Sequence, residues 1–416
     1  MKFTYFKEWI MEGGAYGHLS HIHEDLDLTF GDIKQIIDDA LQGKLDKETK
    51  PSEKLDGQAL SFTVVDGDLK FARNKGHLKN RGEAALTADE VKTKFSGRGT
   101  VEDAFSHAVD ELEHIVSKNK DKFNKIFNNG EYFASIEVIW PDNYNIILYD
   151  EPYIIFHNII QYDESGNAIG EISQGGEFIE KTIKELDIET HKFKVSSPIK
   201  VDLVKAKDFE EKQKYFLDKL SQLMRKYNLS DDSTIEDYMI ESNKKIVLDV
   251  IEGYDLSEDQ INMILKRCIL GDKSSINANG LKKLIGNEGY EKIVDIEKES
   301  LKKSLKKTED DLFEIFLELG QEVLKNISSV LILSPDKEVQ RIKKEIDDAI
   351  KSSHSLEDKN QYERISRQLT RLGKLGGLES ILPIEGIVFR YKGKDYKFTG
   401  SFAPVNQILG FFKYFK

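Results

Sequence analysis

Short clusters of lysine, arginine, glutamate and aromatic residues recur along this chain in an order that suits phosphorus chemistry. The first is Glu53-Lys54-Leu55-Asp56-Gly57, read as the end of a strand entering a turn. Arg73-Asn74-Lys75-Gly76, Ile136-Glu137-Val138, Ile155-Phe156, Glu385-Gly386-Ile387-Val388 and Tyr396-Lys397-Phe398 follow. A lysine amine attacks phosphorus only after losing its proton, and neighbouring positive charge favours the neutral form. Lys54 as nucleophile, with other cations left to neutralise phosphate oxygens, is therefore a workable set. Together the clusters point to an enzyme that carries a nucleotide on its own lysine. Glu137 adds to this, because a lone acid in an apolar strand needs an exposed face or a partner. Phe156, taken alone, reads as ordinary core.

These residues need a scaffold that returns over a long stretch of chain. Residues 1–50 read as a helical preface: Thr29 caps a helix with Phe30, Ile33, Ile37 and Leu41 on one face, ending near Gly43. Residues 51–203 read as β-rich. Leu60 to Val65, the turn Asp66-Gly67 and Leu69 to Ala72 form a hairpin, and strands resume at Glu131–Trp140, Asn145–Tyr149 and Tyr153–Tyr162. Between them, Thr100 with Asp103 resembles a capping box ahead of Ala104, Ala108, Leu112 and Ile115. Over 204–375 the period becomes helical. One stripe is Phe216, Leu220, Leu223 and Tyr227; another is Leu312, Phe316, Leu319, Val323 and Ile327. No strand pair is evident there. Ser334-Pro335 starts a further helix, and Gly373 stops the one carrying Tyr362, Ile365, Leu369 and Leu372. Residues 376–416 return to β, with strand Gly386–Tyr391, turn Lys392-Gly393-Lys394-Asp395 and strand Tyr396–Thr399. So short a hairpin must join sheets begun before residue 165, which would bring Glu385 and Lys397 near Lys54.

Bulk properties bound the function. A chain of 416 residues calls for more than one core. No run of about 18 uncharged apolar residues occurs, so no membrane partner is expected. The first residues lack the hydrophobic stretch of a secretory signal, and the single cysteine, Cys268, excludes an intramolecular disulfide; both suit a cytoplasmic protein. A net charge of −13 argues against a general nucleic-acid coat protein, but allows a local basic track such as Arg73, Lys75, Lys79 and Arg81. The same run also fits a solvated loop.

Glu53-Lys54-Leu55-Asp56-Gly57 resembles the first motif of the covalent nucleotidyltransferases, which include ATP-dependent DNA ligases, RNA ligases and mRNA-capping enzymes. Phe71 to Gly76 is similar to the arginine-bearing strand of phage-type RNA ligases, Ile136-Glu137 and Ile155-Phe156 to the third motif and its aromatic partner, Glu385 to Val388 to the fourth, and Lys397 to the fifth. The resemblance covers residues 50–165 and 383–400. It implies an α+β fold: a ligase-type nucleotidyltransferase domain of antiparallel sheets flanked by helices, interrupted by a large all-helical insertion. It also implies ATP and Mg²⁺ (or Mn²⁺). Lys54 would attack the α-phosphate, with Lys397 and Arg73 as phosphate cations and Glu385 as metal ligand. Glu137 would bind the ribose, Phe156 stack on the purine, Asp56 orient the lysine or a terminal hydroxyl, and Glu53 read the base edge. Ligases commonly carry a second lysine in the fifth motif; here Thr399 stands there, with Lys394 nearby. The segment after Lys397 is too short for an oligonucleotide-binding barrel, which favours an RNA-ligase type. Gly400 to Gln407 also resembles uncharacterised tailed-phage proteins with a Lys-Trp-Asp-Gly motif, which would put the protein in a host cytoplasm.

The expectation is thus an ATP-dependent polynucleotide ligase acting on nucleic acid, RNA rather than DNA. The helical unit would present the strand, through Arg364, Arg367, Arg371 and Lys374 if these are not simply a solvated face. Two rivals stay open: a nucleotidyltransferase with another acceptor, and a phage structural or assembly protein keeping a degenerate ligase fold. His18, His21 and His23, beside Glu24 and Asp25, offer metal ligands, nucleic-acid contacts or a cap-and-turn before Phe30. Gly13-Gly14 and Gly17 have no strand-turn-helix context and carry no nucleotide role. Oligomeric state is not legible.

Overall fold

The computed structural model describes residues 21–143, 149, 151–172, 174–325, 331–332, 341, 381–382 and 386–399. Glu385, His18, the arginines of 364–371 and the helix starts at 334–375 lie outside them. The protein is mixed α+β, with antiparallel sheets and many helices. Among the described residues, no helix is long and apolar enough to cross a membrane.

Strands are numbered in chain order: β1 (Ser52–Lys54), β2 (Gln58–Val65), β3 (Asp68–Ala72), β4 (Tyr132–Ile139), β5 (Tyr153–Tyr162), β6 (Ala168–Ile172), β7 (Lys194–Ser196), β8 (Leu331–Ile332), β9 (Ile381–Leu382), β10 (Gly386–Tyr391) and β11 (Lys394–Thr399). The order β3-β2-β4-β5-β6 makes one sheet, with β7 parallel to the start of β5. Its turn at Asp66-Gly67 has φ of 53° and 81°, the left-handed pair that a two-residue hairpin requires. One face of this sheet packs on the helices Ala88–Phe95, Thr100–Ser117 and Lys120–Phe127 through Phe62, Phe105, Leu112 and Phe127. Thr100 is not the cap expected of it. Gly99 occupies that position, and the Thr100 hydroxyl bonds Asn143 instead.

The second core draws on distant parts of the chain. Helix α1 (Phe30–Gln42) is capped by Thr29 through Asp32 and ends at Gly43 with φ 71°, as expected. Its buried Phe30, Ile33 and Ile37 share one apolar cluster with Leu220, Val247 and Leu319 of the helical region and with Ile387, Phe389, Tyr396 and Phe398 of the hairpin. Helices joined by turns follow one another from Phe209 to Lys325, with a π-turn at Glu309–Phe313. The helical region is not free of strands: β8 pairs with β9. Two residues per strand leave no alternation to read.

The hairpin β10–β11 joins β1 rather than extending the larger sheet. Its turn is tighter than expected, only Lys392-Gly393, so Lys394 already belongs to β11. The other edge of β1 is held by residues 199–201, where Val201 N–H donates to Pro51 and Glu53 N–H to Ile199. Pairing runs Ser52↔Val388↔Lys397 and Glu53↔Ile387↔Phe398. Directly paired residues share a face and neighbours along a strand alternate. Hence Ile387, Phe389, Tyr396 and Phe398 enter the helical core, while Lys54, Val388, Arg390 and Lys397 fall on the opposite face.

Candidate functional site

That opposite face closes a cleft of about 730 Å³ against the larger sheet. Lys54 and Lys397 both line it, with Glu137, His157, Lys200 and Arg390. Two strand spacings, roughly 10 Å, separate the strands that carry the two lysines. A pocket of this size accommodates a nucleotide-sized ligand.

Lys54 sits where β1 ends and a short turn leads into β2, and each residue of that turn is fastened. Leu55 packs on Ile139, Tyr149 and Ile155. Asp56 N–H donates to the Tyr149 hydroxyl oxygen at 3.2 Å, and Gly57 N–H donates to Glu137 Oε1 at 2.6 Å. A Cβ on Gly57 would stand 2.7 Å from Glu137 Cγ and 2.8 Å from the Val138 carbonyl oxygen, so only glycine lets β4 approach. The Lys54 amine donates to the Leu55 carbonyl at 3.2 Å. A side chain on a turn tied at three points loses little freedom on reaching a bound partner.

Glu137 is the electrostatic centre. Its Oε2 lies 3.0 Å from His157 Nε2, while Oε1 takes the Gly57 N–H. Burial alone would raise its carboxyl. The His157 hydrogen bond and charge, the Gly57 N–H and the Lys54 charge outweigh that and hold it below the usual carboxylate range. Glu53 behaves oppositely. It is 6 % exposed, and burial, with Glu137's charge adding, pushes its carboxyl up to about 7 against the Ile199 N–H that it accepts at 3.0 Å. Near neutral pH, then, Glu137 is ionised while its neighbour Glu53 is only partly so.

Lys397 is 7 % exposed, unusual for lysine, and its hairpin is clamped from behind. Tyr396 Oη and Lys394 Nζ donate to Asp25 at 2.6 and 2.8 Å, and Tyr391 Oη donates to Asp32 at 2.9 Å. On the cleft face Arg390 makes a two-pronged pair with Asp395 at 2.7 and 2.8 Å and reaches Glu171 at 2.9 Å. The preface helix and the segment before it therefore fix the position of Lys397.

Other expected site residues fall elsewhere. Phe156 is 1 % exposed and packs edge-on against Phe62 in the core of the larger sheet, facing away from the cleft. Its neighbours His157 and Asn158 line the cleft instead. A bulge opposite Ser135/Ile136 leaves His157 without a cross-strand partner, and two consecutive residues then face the same way. Strict alternation could not reveal them, although two polar residues in succession within an apolar strand are the trace that a bulge leaves. Arg73 is also outside the lining. Its guanidinium donates to the carbonyl of Ala59, a residue at the cleft edge, and lies over Phe95 and Phe105. Asp56 is buried beneath the turn rather than lining the cleft.

The described histidines of the N-terminal cluster pack as aromatics. His21 and His23 stack at 5.3 Å, both meet the edge of Phe313 at 5.6 Å, and His23 lies over Phe316. Burial, aided by the nearby Lys397 charge, lowers His23 to about 4 despite Glu24. His21 begins the short helix Ile22–Glu24, where its N–H donates to Glu24 at 2.6 Å, the cap-and-turn alternative. Among the described residues no three His, Cys, Asp or Glu side chains group as a metal site, there or in the cleft. No protein-family model and no curated protein matches this chain.

Proposed function

We propose that the protein is an ATP-dependent polynucleotide ligase, acting on RNA rather than DNA, that works through a lysyl-AMP intermediate. The observation that carries this reading is the meeting of Lys54 and Lys397, far apart in sequence, on one wall of a single cleft. The Lys54 amine attacks the α-phosphorus of ATP. A nitrogen–phosphorus bond forms as the bond to pyrophosphate breaks, and the amine's remaining excess proton leaves to solvent. An oxygen of a 5′-phosphate then takes the AMP from Lys54. Finally a 3′-hydroxyl attacks the activated 5′-phosphate, expelling AMP and sealing the strand. Each transfer needs in-line placement and charge neutralisation more than proton transfer.

Lys397 supplies fixed positive charge against the phosphate oxygens, in a wall too closely packed for it to swing away. Glu137 holds the lysine-bearing turn and fixes the His157 ring in the cleft. The described residues do not form a metal cage, and Mg²⁺ or Mn²⁺ is assigned no step; Glu385, its expected ligand, lies outside them. Incubation with α-³²P-ATP should give a covalently labelled protein. Lys54→Ala should abolish the label, and Lys397→Ala should reduce its rate by roughly a hundredfold, the usual effect of losing one charge-stabilising donor. A chase with nicked, 5′-phosphorylated RNA should move the label to the nucleic acid and then release AMP. Label that never leaves Lys54 for a nucleic acid would favour another acceptor. Absence of label from the wild-type protein would defeat the proposal.

A further inference from the structure

We propose that Arg73 and Arg98 form a second site, beside the cleft, that grips a backbone phosphate of a polynucleotide strand. Arg73 follows β3, and Arg98 lies in the turn after the helix Ala88–Phe95. Phe95 and Phe105 stack with centroids 4.3 Å apart. The Arg73 guanidinium carbon lies 5.0 Å from the Phe105 centroid and 5.7 Å from that of Phe95; the Arg98 carbon lies 5.4 Å from Phe95. Two guanidinium groups therefore share the Phe95 ring. Among the described residues, neither has a carboxylate within ion-pair distance; for exposed Arg98 that is ordinary, but a half-buried charge such as Arg73 is normally paired. Glu102, in the first turn of the following helix, accepts the Gly97 N–H at 2.6 Å.

Like charges held side by side repel, and burial together with the Arg98 charge already lowers Arg73 from its ordinary value. An anion between them relieves that repulsion. One Arg73 N–H is used on the Ala59 carbonyl, and a guanidinium laid on a ring face has further N–H groups that suit hydrogen bonding to a phosphate. A strand, rather than a lone phosphate, fits the surroundings. Arg73 bonds the carbonyl of Ala59, a cleft-lining residue, and the exposed Lys75 and Lys79 follow it in a stretch, 73–82, that holds no acid; Arg81 of that stretch lies 3.8 Å from Glu131. A polyanion can follow such a track into the cleft.

This inference requires no covalent chemistry at Lys54. Binding of a fluorescein-labelled, 5′-phosphorylated single-stranded RNA 12-mer is measured by anisotropy over a salt series, alongside α-³²P-ATP labelling of the same samples. The surface variant Arg98→Gln should weaken RNA binding roughly tenfold and reduce the log–log salt slope by about 1. Labelling should be unaltered. The control Arg225→Gln, an exposed arginine on a distant helix, should change neither. An unchanged affinity and slope in Arg98→Gln, an equal loss in Arg225→Gln, or displacement of the RNA by millimolar inorganic phosphate at constant ionic strength would each overturn the proposal. Loss of labelling in the wild type with the Arg98 effect intact would sink the ligase reading and leave this site standing.

Discussion

Replacing Glu53 by glutamine should change how stability depends on pH, by an amount that follows from the structure. Burial raises the Glu53 carboxyl from its ordinary 4.5 to about 7. Between those values the folded protein holds a proton that the unfolded chain has released, so this group's contribution to stability falls as pH rises. At about 1.4 kcal/mol per decade of pH, the loss is about 3 kcal/mol between pH 4.5 and 7. His23 has the opposite sign. Burial lowers it from 6.5 to about 4, so the unfolded chain holds the extra proton, and stability rises with pH by about 3 kcal/mol over that window. In the wild type the two slopes oppose one another between pH 4.5 and 6.5. Glutamine keeps an oxygen to accept the Ile199 N–H and cannot titrate. Relative to wild type, Glu53→Gln should therefore gain about 3 kcal/mol on going from pH 4.5 to 7. Urea unfolding at half-unit pH steps, followed by tryptophan fluorescence, measures that difference with every other titrating group cancelled. A difference that stays constant to within a few tenths of a kcal/mol across the range would refute the buried, proton-bearing Glu53.

Two further outcomes test the scaffold. Gly57→Ala should cost about 1–3 kcal/mol by overpacking, because its new methyl meets the Val138 carbonyl oxygen at 2.8 Å, and nucleotide labelling should fall as the Lys54 turn shifts; unaltered melting would show that β4 yields. Asp25→Asn removes the charged acceptor of Tyr396 and Lys394 and should cost about 1–3 kcal/mol. Faster amide exchange in β11 should accompany it, and unchanged exchange would mean that the preface does not hold the Lys397 hairpin.

Legibility differed between residues for physical reasons. The first hairpin, the Thr29 cap and the Gly43 stop depend on neighbours in sequence and match the structure; the second hairpin also forms, with a tighter turn than expected. Lys54, Glu137 and Lys397 were legible as chemistry and stand around one cleft. Phe156 and Arg73 were chosen by motif position, yet strand face and ring stacking take both out of the lining. His157 and Asn158 reach it through a bulge, whose only trace in the sequence is two polar residues in succession within an apolar strand. Glu53 is next to Lys54 in sequence, but its proton-holding state comes from burial against residues 199–201.

By itself, then, the sequence determined which residues carry reactive groups, and which segments form helices and hairpins, because those preferences act over a few bonds. Only the tertiary structure decided that β10–β11 pairs with β1, that α1 and the helical region share the hairpin's core, and that Lys397 consequently lies on the same cleft wall as Lys54. Strand partners far apart in the chain are chosen by which faces can be buried together, a property of the assembled cores that no local stretch encodes.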